Sequence, residues 1–522
     1  MDRSGQAKMS ELSAVGGLGR AHWLDSLLER CADPARRERT VLALLAAYAA
    51  VWSLYGAIAK SSQDIHFDMG EMVAWSREVT FGTPKHPPLP AWLVRAWFSV
   101  FPLEDWSYYL FAILLATAAL WIAWKASAPY LDGQKRLIGL ALLTLVPFYN
   151  FHALKFNANT IMAPLWALTT WWFLRSYETR SASYAVLAGL AAAAAMLSKY
   201  WSIVLLVGLG LAALADPRRG AYLRSPAPWL TIAAGTAGLA PHLGWLYAHD
   251  FESFGYAMES HPATVGTALV SGLGYVVGSL GYVTVPALIA LAAARPSRNA
   301  ILDTLWPLQA PRRLVVLAFA LPLLLPLMAA LAAREEVVSI WSIGGMTLFP
   351  VVLLSSARLT IARTDARRIL ALAIAVPIVA LALSPAIAIA IHYQGVPNHA
   401  THYRLLAQAV EQTWRQTTDR PLRLVGSGDN LLDGALIYFS GAPSTLEITN
   451  PAVTPWTDDA RVAREGIALF CAVDEPRCVN AMNDRAARGL PGKRDEVELA
   501  RTYFGTPDTP ERFVIVTIPP AQ

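Results

Sequence analysis

The stretch QDIHFDMGEMVAWSREVTFGTPKHPPLPAW, residues 63–92, is rich in ionisable side chains and lies between two long apolar runs. A polar segment in this position is typical of a loop that joins two membrane helices. Partial burial at the membrane surface would shift the pKa values of its carboxyl groups, as catalytic groups often require. A hydrated loop with ordinary charges is the plainer alternative. The ionisable residues of interest are Asp64, His66, Asp68, Glu71, Lys85 and His86.

The composition of the whole chain indicates a membrane protein. Of its 522 residues, 55% are hydrophobic and only 16% are charged, and the mean hydropathy is +0.38. In a typical soluble domain, about a quarter of all residues are charged. The net charge of +5 comes from Lys and Arg in short clusters between apolar runs rather than along one face. It therefore predicts membrane topology and no nucleic-acid partner.

Eleven apolar runs are long enough to form spanning helices of roughly 17 to 25 residues, the shortest with help from their flanks. The predicted fold is an all-α polytopic membrane bundle of about eleven transmembrane helices with a small C-terminal extracytoplasmic α/β domain. The runs cover residues 40–60, 106–128, 135–150, 159–177, 182–198, 201–216, 226–248, 263–294, 313–333, 338–357 and 369–392.

The basic clusters predict the orientation, because loops rich in Lys and Arg stay on the cytoplasmic side. They place the N-terminus inside and the C-terminus outside. We expect a cytoplasmic segment at 1–39 without a cleavable signal peptide, a membrane domain at 40–392 and an outside domain at 393–522. The outside loop at 61–105 contains two segments with mixed faces, which predict helices that lie in the membrane interface.

The tail alternates predicted strands and helices. PLRLVGSGDN and RFVIVTIPP are typical of strands, and LLDGALIYFSG and DARVAREG of helices, so we expect a small α/β domain without catalytic groups of its own. GSGDN lacks the spacing and the Lys-Ser/Thr ending of a phosphate loop and is interpreted as a turn. Cys471 and Cys478 form a disulfide if the tail faces an oxidising compartment, and two free thiols are the alternative.

Asp68 and Glu71 are candidate catalytic residues because of their spacing. They lie three residues apart, so a helix over MGEMVAWSREV puts them on one face near its positive end. Lys85 and His86 precede a Pro pair that fixes an extended turn. A base and an anion-binding group would then face the same space.

Polar residues at the predicted outside ends of other helices fit the same cavity. The ordinary interpretation of each is an interfacial or snorkelling side chain. Lys199 is a further candidate for anion binding. The candidates for substrate binding are His152, Lys155, Asn157, Tyr200 and His249.

No metal site is predicted. Neither a His-x-x-x-His nor a Glu-x-x-His pair falls on one predicted helix. Weak assistance by a divalent cation on carboxylates stays open, and no other cofactor is expected.

The order of these elements resembles that of the dolichyl-phosphate-mannose protein mannosyltransferase superfamily. It is more similar still to the bacterial aminoarabinose and galacturonic acid transferases that modify lipopolysaccharide. Met69 stands where that family has Glu, and His86 stands where its Lys-Pro-Pro-Leu turn has Lys. The tail adds TPW at 454–456 and the cysteine pair. The family's acidic motif keeps its spacing at Asp68, Ala74, Ser76, Arg77 and Glu78.

The resemblance implies a GT-C fold glycosyltransferase that takes a sugar from a polyprenyl-phosphate donor. It implies an envelope glycolipid or lipopolysaccharide acceptor, at the periplasmic face of the bacterial inner membrane. Asp68 falls on the family's catalytic aspartate and Glu71 on no fixed position, although it can take the second acid's role. Contacts to the donor phosphate would come from Lys85, His86 or Lys199.

A lipid or solute transporter, or a flippase, is the rival function. Many spans with a few embedded polar groups fit transport equally well. The chain shows no clear internal repeat, however, and its long first outside loop and one-sided tail favour an enzyme.

Overall fold

The fold is described by a computed structural model for residues 23–260, 262–487 and 492–521. The predicted cytoplasmic segment therefore lies outside the described residues as far as residue 22. Its remainder includes a helix, α1, over residues 23–32. Asp25 and Glu29 of α1 each pair with Arg363 at 2.8 Å, which ties this helix to a later part of the chain.

Helices account for most of the chain before residue 395. Single 3-10 turns at Pro147–Tyr149, His152–Leu154 and Tyr200–Ser202, and a longer one at Ser339–Leu348, interrupt or extend them. The α-helices are α2 (Arg37–Ala59), α3 (Phe67–Arg77), α4 (Leu89–Phe98), α5 (Asp105–Ala126), α6 (Gly133–Thr144), α7 (Met162–Thr179), α8 (Ala182–Ser198), α9 (Ile203–Ala215), α10 (Arg219–Leu223), α11 (Ala227–Ala248), α12 (Glu252–Ser260), α13 (Val265–Ala294), α14 (Arg298–Leu305), α15 (Ala310–Ala333), α16 (Phe349–Leu354) and α17 (Arg363–Gln394).

Each of the eleven predicted apolar runs coincides with helical structure. Within the described ranges, five helices are long and apolar enough to cross a membrane: α2, α5, α13, α15 and α17. A sixth candidate span is the pair Gly133–Thr144 and Pro147–Leu154, which is bent by 81°. Other runs form shorter apolar helices, such as Ala182–Ser198. The chain is a multi-pass membrane protein, and the count of eleven spans stays a prediction.

Large buried rings fix the helices of the bundle against one another. α2 packs on α5 and α17, while α7 packs on α5 and α8. Trp52 and Trp166 are fully buried, and the indole N–H of Trp166 donates to Ser202 Oγ at 2.8 Å. A buried indole with a satisfied N–H adds apolar area without leaving an unpaired donor. These helices carry the segments from which the polar residues of the site project.

The tail forms the expected small α/β domain. Its main sheet has the strand order β2-β1-β3-β7-β4. β1 is parallel to β2 and β3, whereas β7 is antiparallel to β3 and β4. The elements of the tail are α18 (Tyr403–Thr417), β1 (Leu424–Ser427), α19 (Asp429–Leu436), β2 (Ser444–Glu447), α20 (Asp459–Glu465), β3 (Ile467–Ala472), α21 (Pro476–Ala486), β4 (Arg494–Leu499), β5 (Thr502–Tyr503), β6 (Thr506–Pro507) and β7 (Glu511–Ile518).

Helix α3 is buried by the elements around it, and its expected position in the membrane interface stays a prediction. His66 caps its N-terminus by accepting a hydrogen bond from the backbone N–H of Asp68. Every residue from Met69 to Trp75 is buried, and both α4 and α19 of the tail pack on the helix. The tail thus covers the face that sequence alone assigns to water or lipid head groups.

A buried aspartate joins the loop at 61–105, the first loop, to the tail. Asp64 is only 1% exposed. It accepts hydrogen bonds from the Arg501 guanidinium and, at 3.0 Å, from the backbone N–H of Arg404. Arg404 also pairs with Asp105 at 3.3 Å, and Tyr438 donates to Asp105 at 3.0 Å. We call this group the Asp64 latch.

A second contact between the first loop and the tail depends on a glycine. A Cβ atom on Gly70 of α3 would lie 1.9 Å from the carbonyl oxygen of Asp433 in α19. Only a residue without a side chain allows this approach of two backbones. Gly70 therefore sets how closely the tail sits on α3.

Replacing Gly70 with Ala should loosen the tail, because the backbone of α19 must move to accept the added methyl group. We expect a loss of about 1–3 kcal/mol in stability, measured by thermal unfolding of the purified protein and by proteolysis of its tail. Gly210→Ala in α9 is the matched control, since a Cβ there meets nothing within 4 Å. Equal behaviour of the two variants would contradict the proposed contact.

Candidate active site

Asp68 lies in the first turn of α3, where the positive end of a helix favours a carboxylate. Its Oδ2 accepts hydrogen bonds from Lys155 Nζ and Asn157 Nδ2, both at 2.8 Å. His66 Nδ1 lies 3.3 Å from its Oδ1. The Asp68 side chain is 24% exposed, so part of the carboxylate stays accessible to a substrate.

Lys155 and Asn157 come from the turn that follows the bent helix pair. The side-chain Oδ1 of Asn157 accepts hydrogen bonds from the backbone N–H groups of Asn159 and Thr160 at 2.9 and 3.1 Å. This turn orients the amide so that its Nδ2 faces Asp68. The structure thus brings together Asp68, Lys155 and Asn157, three candidates from distant parts of the sequence.

The surroundings of Asp68 keep its carboxylate ionised. Burial alone would raise its pKa, but the adjacent His66 side chain and the charge of Lys155 more than offset burial and hold the pKa well below the ordinary value. An ionised carboxylate with one accessible edge can accept a proton or stabilise a developing positive charge.

Glu71, one turn further along α3, forms a separate ion pair. Lys85 Nζ lies 2.5 Å from its Oε1. Burial would lower the pKa of Lys85, but the charge of Glu71 and the nearby Tyr256 hold that pKa above the ordinary value. Lys85 is therefore charged but already paired with a carboxylate.

His86 and Lys199 both lose basicity through burial. Burial, together with the charges of Lys199 and Lys85, lowers the pKa of His86 to about 3, so its ring is neutral near pH 7. Burial lowers the pKa of Lys199 to about 7, against the charge of Asp68. Lys199 Nζ donates to Asn159 Oδ1 at 2.5 Å and lies 4.6 Å from the Trp341 ring centre. It has no ion-pair partner among the described residues.

Tyr200 follows Lys199 and belongs to a network that reaches the first loop. Its hydroxyl lies 2.9 Å from His242 Nε2, and His242 Nδ1 lies 2.6 Å from the carbonyl oxygen of Phe81. The Tyr200 ring stacks on Phe254 with centroids 4.8 Å apart. This network holds α11 and α12 against the loop beside Lys199.

His152 and His249 lie on exposed surfaces and contact other groups. His152 packs against Phe148 and Tyr282, with ring centroids 5.8 and 5.7 Å away. His249 stacks on Trp245 at 4.2 Å, and its Nδ1 lies 2.8 Å from the Trp245 carbonyl oxygen. A substrate contact at either histidine stays a prediction.

A cavity of about 520 Å³ opens between α3 and the tail. Glu71, Trp75 and Lys85 line one side of it. Asp68, one helical turn earlier, is not part of this lining, so the two candidate acids of α3 have different surroundings.

The tail supplies most of the remaining lining of this cavity. The sequence indicates this wall only through TPW at 454–456, of which Thr454 and Trp456 line the cavity. Asp433, Glu447 and Arg477 could not be predicted, because these three residues follow no motif and come together only when the tail folds.

Two further features bear on the sequence predictions. The structure joins Cys471 and Cys478 in a disulfide, with Cα atoms 5.8 Å apart. In the described parts of the chain, no three His, Cys, Asp or Glu side chains are grouped so that they could hold a metal ion.

Sequence comparison finds relatives for part of the chain. The family model of the dolichyl-phosphate-mannose-protein mannosyltransferases matches residues 85–245. The lipid A galacturonosyltransferase RgtD of Rhizobium johnstonii is 24% identical over 226 residues, which are 42% of this chain and 46% of that protein. The chain thus aligns with about half the length of this curated relative.

Solved structures match over most of the chain. ArnT from Cupriavidus metallidurans bound to undecaprenyl phosphate has a TM-score of 0.60 and 13% identity, over 91% of this chain and 97% of that one. The apo state of ArnT has a TM-score of 0.59 with the same coverage and identity. At this identity the likeness concerns the fold. Together with the family model, these matches confirm the resemblance of the chain to the GT-C glycosyltransferases that use polyprenyl-phosphate sugars.

Proposed function

We propose that the protein is a membrane glycosyltransferase that moves a sugar from a polyprenyl-phosphate donor to a lipid A or lipopolysaccharide acceptor. The observation that carries the proposal is one ionised, partly accessible carboxylate, Asp68, in a group with the cations Lys155 and Lys199. RgtD is named as a lipid A transferase, and ArnT binds undecaprenyl phosphate. The first supports a lipid A acceptor, and the second supports a polyprenyl-phosphate donor.

Asp68 acts as general base in the proposed reaction. The acceptor hydroxyl attacks the anomeric carbon, and a new glycosidic bond forms while the bond from that carbon to the phosphate oxygen breaks. The polyprenyl phosphate leaves with the bonding electrons, the hydroxyl proton passes to Asp68, and the configuration inverts. The low pKa of Asp68 makes it a weak base, so the proton moves late, when bond formation has made the hydroxyl acidic.

Lys155 connects the base to the leaving group in this proposal. In the structure without substrates, its ammonium pairs with Asp68 at 2.8 Å. A donor phosphate would share that ammonium and weaken its hold on Asp68. The carboxylate would then become more basic as the leaving group is stabilised.

Lys199 is the strongest candidate for direct contact with the donor phosphate. Lys85 is paired with Glu71, and His86, which occupies the position of the family's lysine, is neutral near pH 7. Lys199 has no carboxylate partner among the described residues and gains charge when an anion binds. The family's phosphate contact would therefore move from the Pro-Pro turn to Lys199.

A transporter or flippase remains the rival function on composition. The two functions differ in their product, since transport leaves the acceptor unchanged. Mass spectrometry of lipid A incubated with membranes and a polyprenyl-phosphate sugar separates them. A new mass of one sugar on lipid A supports the enzyme.

Asp68→Asn should lower the turnover by at least about 100-fold, because the amide cannot accept the proton. The measurement is transfer to lipid A by the purified full chain in detergent. Asp132→Asn is the matched control, because Asp132 caps α6 and asparagine caps equally well. Near-normal turnover of a folded Asp68→Asn variant would remove this residue from the mechanism.

The charge of Lys199 should control the use of the donor. Because its pKa is about 7 and only the charged form attracts phosphate, kcat/KM for the donor should fall as the pH rises through about 7. Lys199→Arg stays charged and should flatten this fall, while Lys199→Met should be slow at every pH. An alkaline limb that is identical in the wild type and in Lys199→Arg would assign it to another group.

The first loop and the tail should lie on the same, periplasmic side of the membrane. The Asp64 latch and the cavity join the first loop to the tail. Two parts in direct contact must lie on the same side of the membrane. Reporter fusions after Gly82 and after Tyr393 should both give periplasmic signals. Opposite signals would overturn the proposed topology.

A further inference from the structure

None of the residues that act in the proposed transfer step lines the cavity between α3 and the tail. Its volume of about 520 Å³ is within the range of small-molecule sites. Trp75 and Trp456 supply aromatic surface, and Thr449 and Asn450 supply hydrogen-bonding groups. Flat rings beside hydroxyl and amide groups suit a sugar, which presents both apolar C–H faces and hydroxyls.

The charged side chains of the lining are not equivalent. Glu71 and Lys85 neutralise each other at 2.5 Å. Glu447 accepts hydrogen bonds from the backbone N–H and the hydroxyl of Thr449, at 2.9 and 2.5 Å. Arg477, in contrast, makes no hydrogen bond or ion pair with any residue in the described ranges. Its guanidinium has five donors to offer to a ligand.

The backbone at Arg477 is held by its neighbours, while its side chain is exposed. It is the second residue of α21, between Pro476 at the helix start and Cys478. The disulfide from Cys478 to Cys471 ties this end of the helix to β3, a buried inner strand of the sheet. A recognition group on such a rigid base loses little freedom when it binds.

The cavity adjoins the proposed donor site without being part of it. Trp75 lines the cavity, and its ring packs edge to face on His86 with centroids 5.4 Å apart. The charge of Lys199 in turn acts on His86. A ligand in the cavity would therefore be separated from His86 by the Trp75 ring and would lie on the side of the tail.

We propose that this cavity binds the sugar head group of the acceptor, and that Arg477 recognises an anionic oxygen group on it, either a phosphate or a carboxylate. The inference rests on the proposed function, because it assigns the second substrate of that reaction. Arg477 is then a residue that determines acceptor specificity. It takes no part in the bond changes at the anomeric carbon.

Binding of three lipids to the full chain, without donor, tests the proposal by native mass spectrometry. The lipids are lipid A with its phosphates, dephosphorylated lipid A, and dephosphorylated lipid A extended by a carboxylate-bearing sugar. Arg477→Ala should weaken binding of the preferred lipid by at least about tenfold, as expected for the loss of a charge-assisted hydrogen bond. Arg477→Lys should restore it in part, because lysine keeps the charge but loses the fork.

Arg464→Ala is the matched control, since this arginine is exposed on α20 of the same tail and does not line the cavity. Its binding should equal that of the wild type. Loss of affinity on dephosphorylation identifies phosphate as the group at Arg477, and recovery with the third lipid identifies carboxylate. The Arg477→Ala variant should no longer distinguish the lipids.

Transfer assays with the same variants separate this inference from the proposed function. Arg477→Ala should raise the KM for the acceptor and leave the donor KM and kcat within about twofold, as for a uniform binding contact. Wild-type protein that binds none of the three lipids, or an Arg477→Ala variant that binds as well as wild type, overturns the inference. Binding that depends on Arg477 without any transfer overturns only the proposed reaction.

Discussion

The buried carboxylate of Asp64 joins the segment that leads into α3 to the tail. Burial raises its pKa, against the charges of Arg501 and Arg404, so the two arginines of the tail are what keep an ionised group tolerable there. Removal of one partner from a buried ion pair typically costs about 3–5 kcal/mol. The chain runs only four residues from this carboxylate to Asp68. The docked tail therefore determines where α3 begins and how its first turn is held.

Two carboxylates on the single helix α3 have different surroundings. The first turn of α3 presents Asp68 to cations from the membrane domain, whereas the next turn presents Glu71 to Lys85 and the cavity of the tail. Opposite environments explain the opposite behaviour of the lysines. Lys85 is stabilised in its charged form by a carboxylate, while Lys199, buried without one, is only about half charged at pH 7 because burial lowers its pKa to about 7. Because the two acids lie only three residues apart, the sequence gives no sign that their surroundings differ.

Local patterns predicted those parts of the fold that local physics decides. The apolar runs, the strand and helix alternation of the tail and the acidic motif on a helix are all present, because each depends on neighbouring residues. The resemblance to known transferases also followed from such local motifs. The number of spans stays a prediction, since some apolar runs are short or sharply bent in the structure.

Contacts between distant parts of the chain could not be predicted from the sequence. Asp68 and Asn157 were both candidates, but nothing in their spacing of nearly ninety residues paired them. The Asp64 latch was missed altogether, because arginines in a polar tail give no sign that they are aimed at a buried acid. The mixed polarity of α3 was interpreted as an interfacial surface for the same reason. One face of that helix is complementary to a domain that lies more than three hundred residues later.

The backbone contact at Gly70 has a mechanical consequence. At Gly70 no side chain separates the backbones of α3 and α19, so at this point the two helices have no compressible layer that would let one swing away from the other. The tail and α3 are then expected to move together as one rigid body. Any change in the width of the cavity must then come from the loop that carries Lys85 and the short helix that carries Tyr256. In the proposed function, a bulky acceptor would therefore enter past this loop and helix rather than by a movement of the tail.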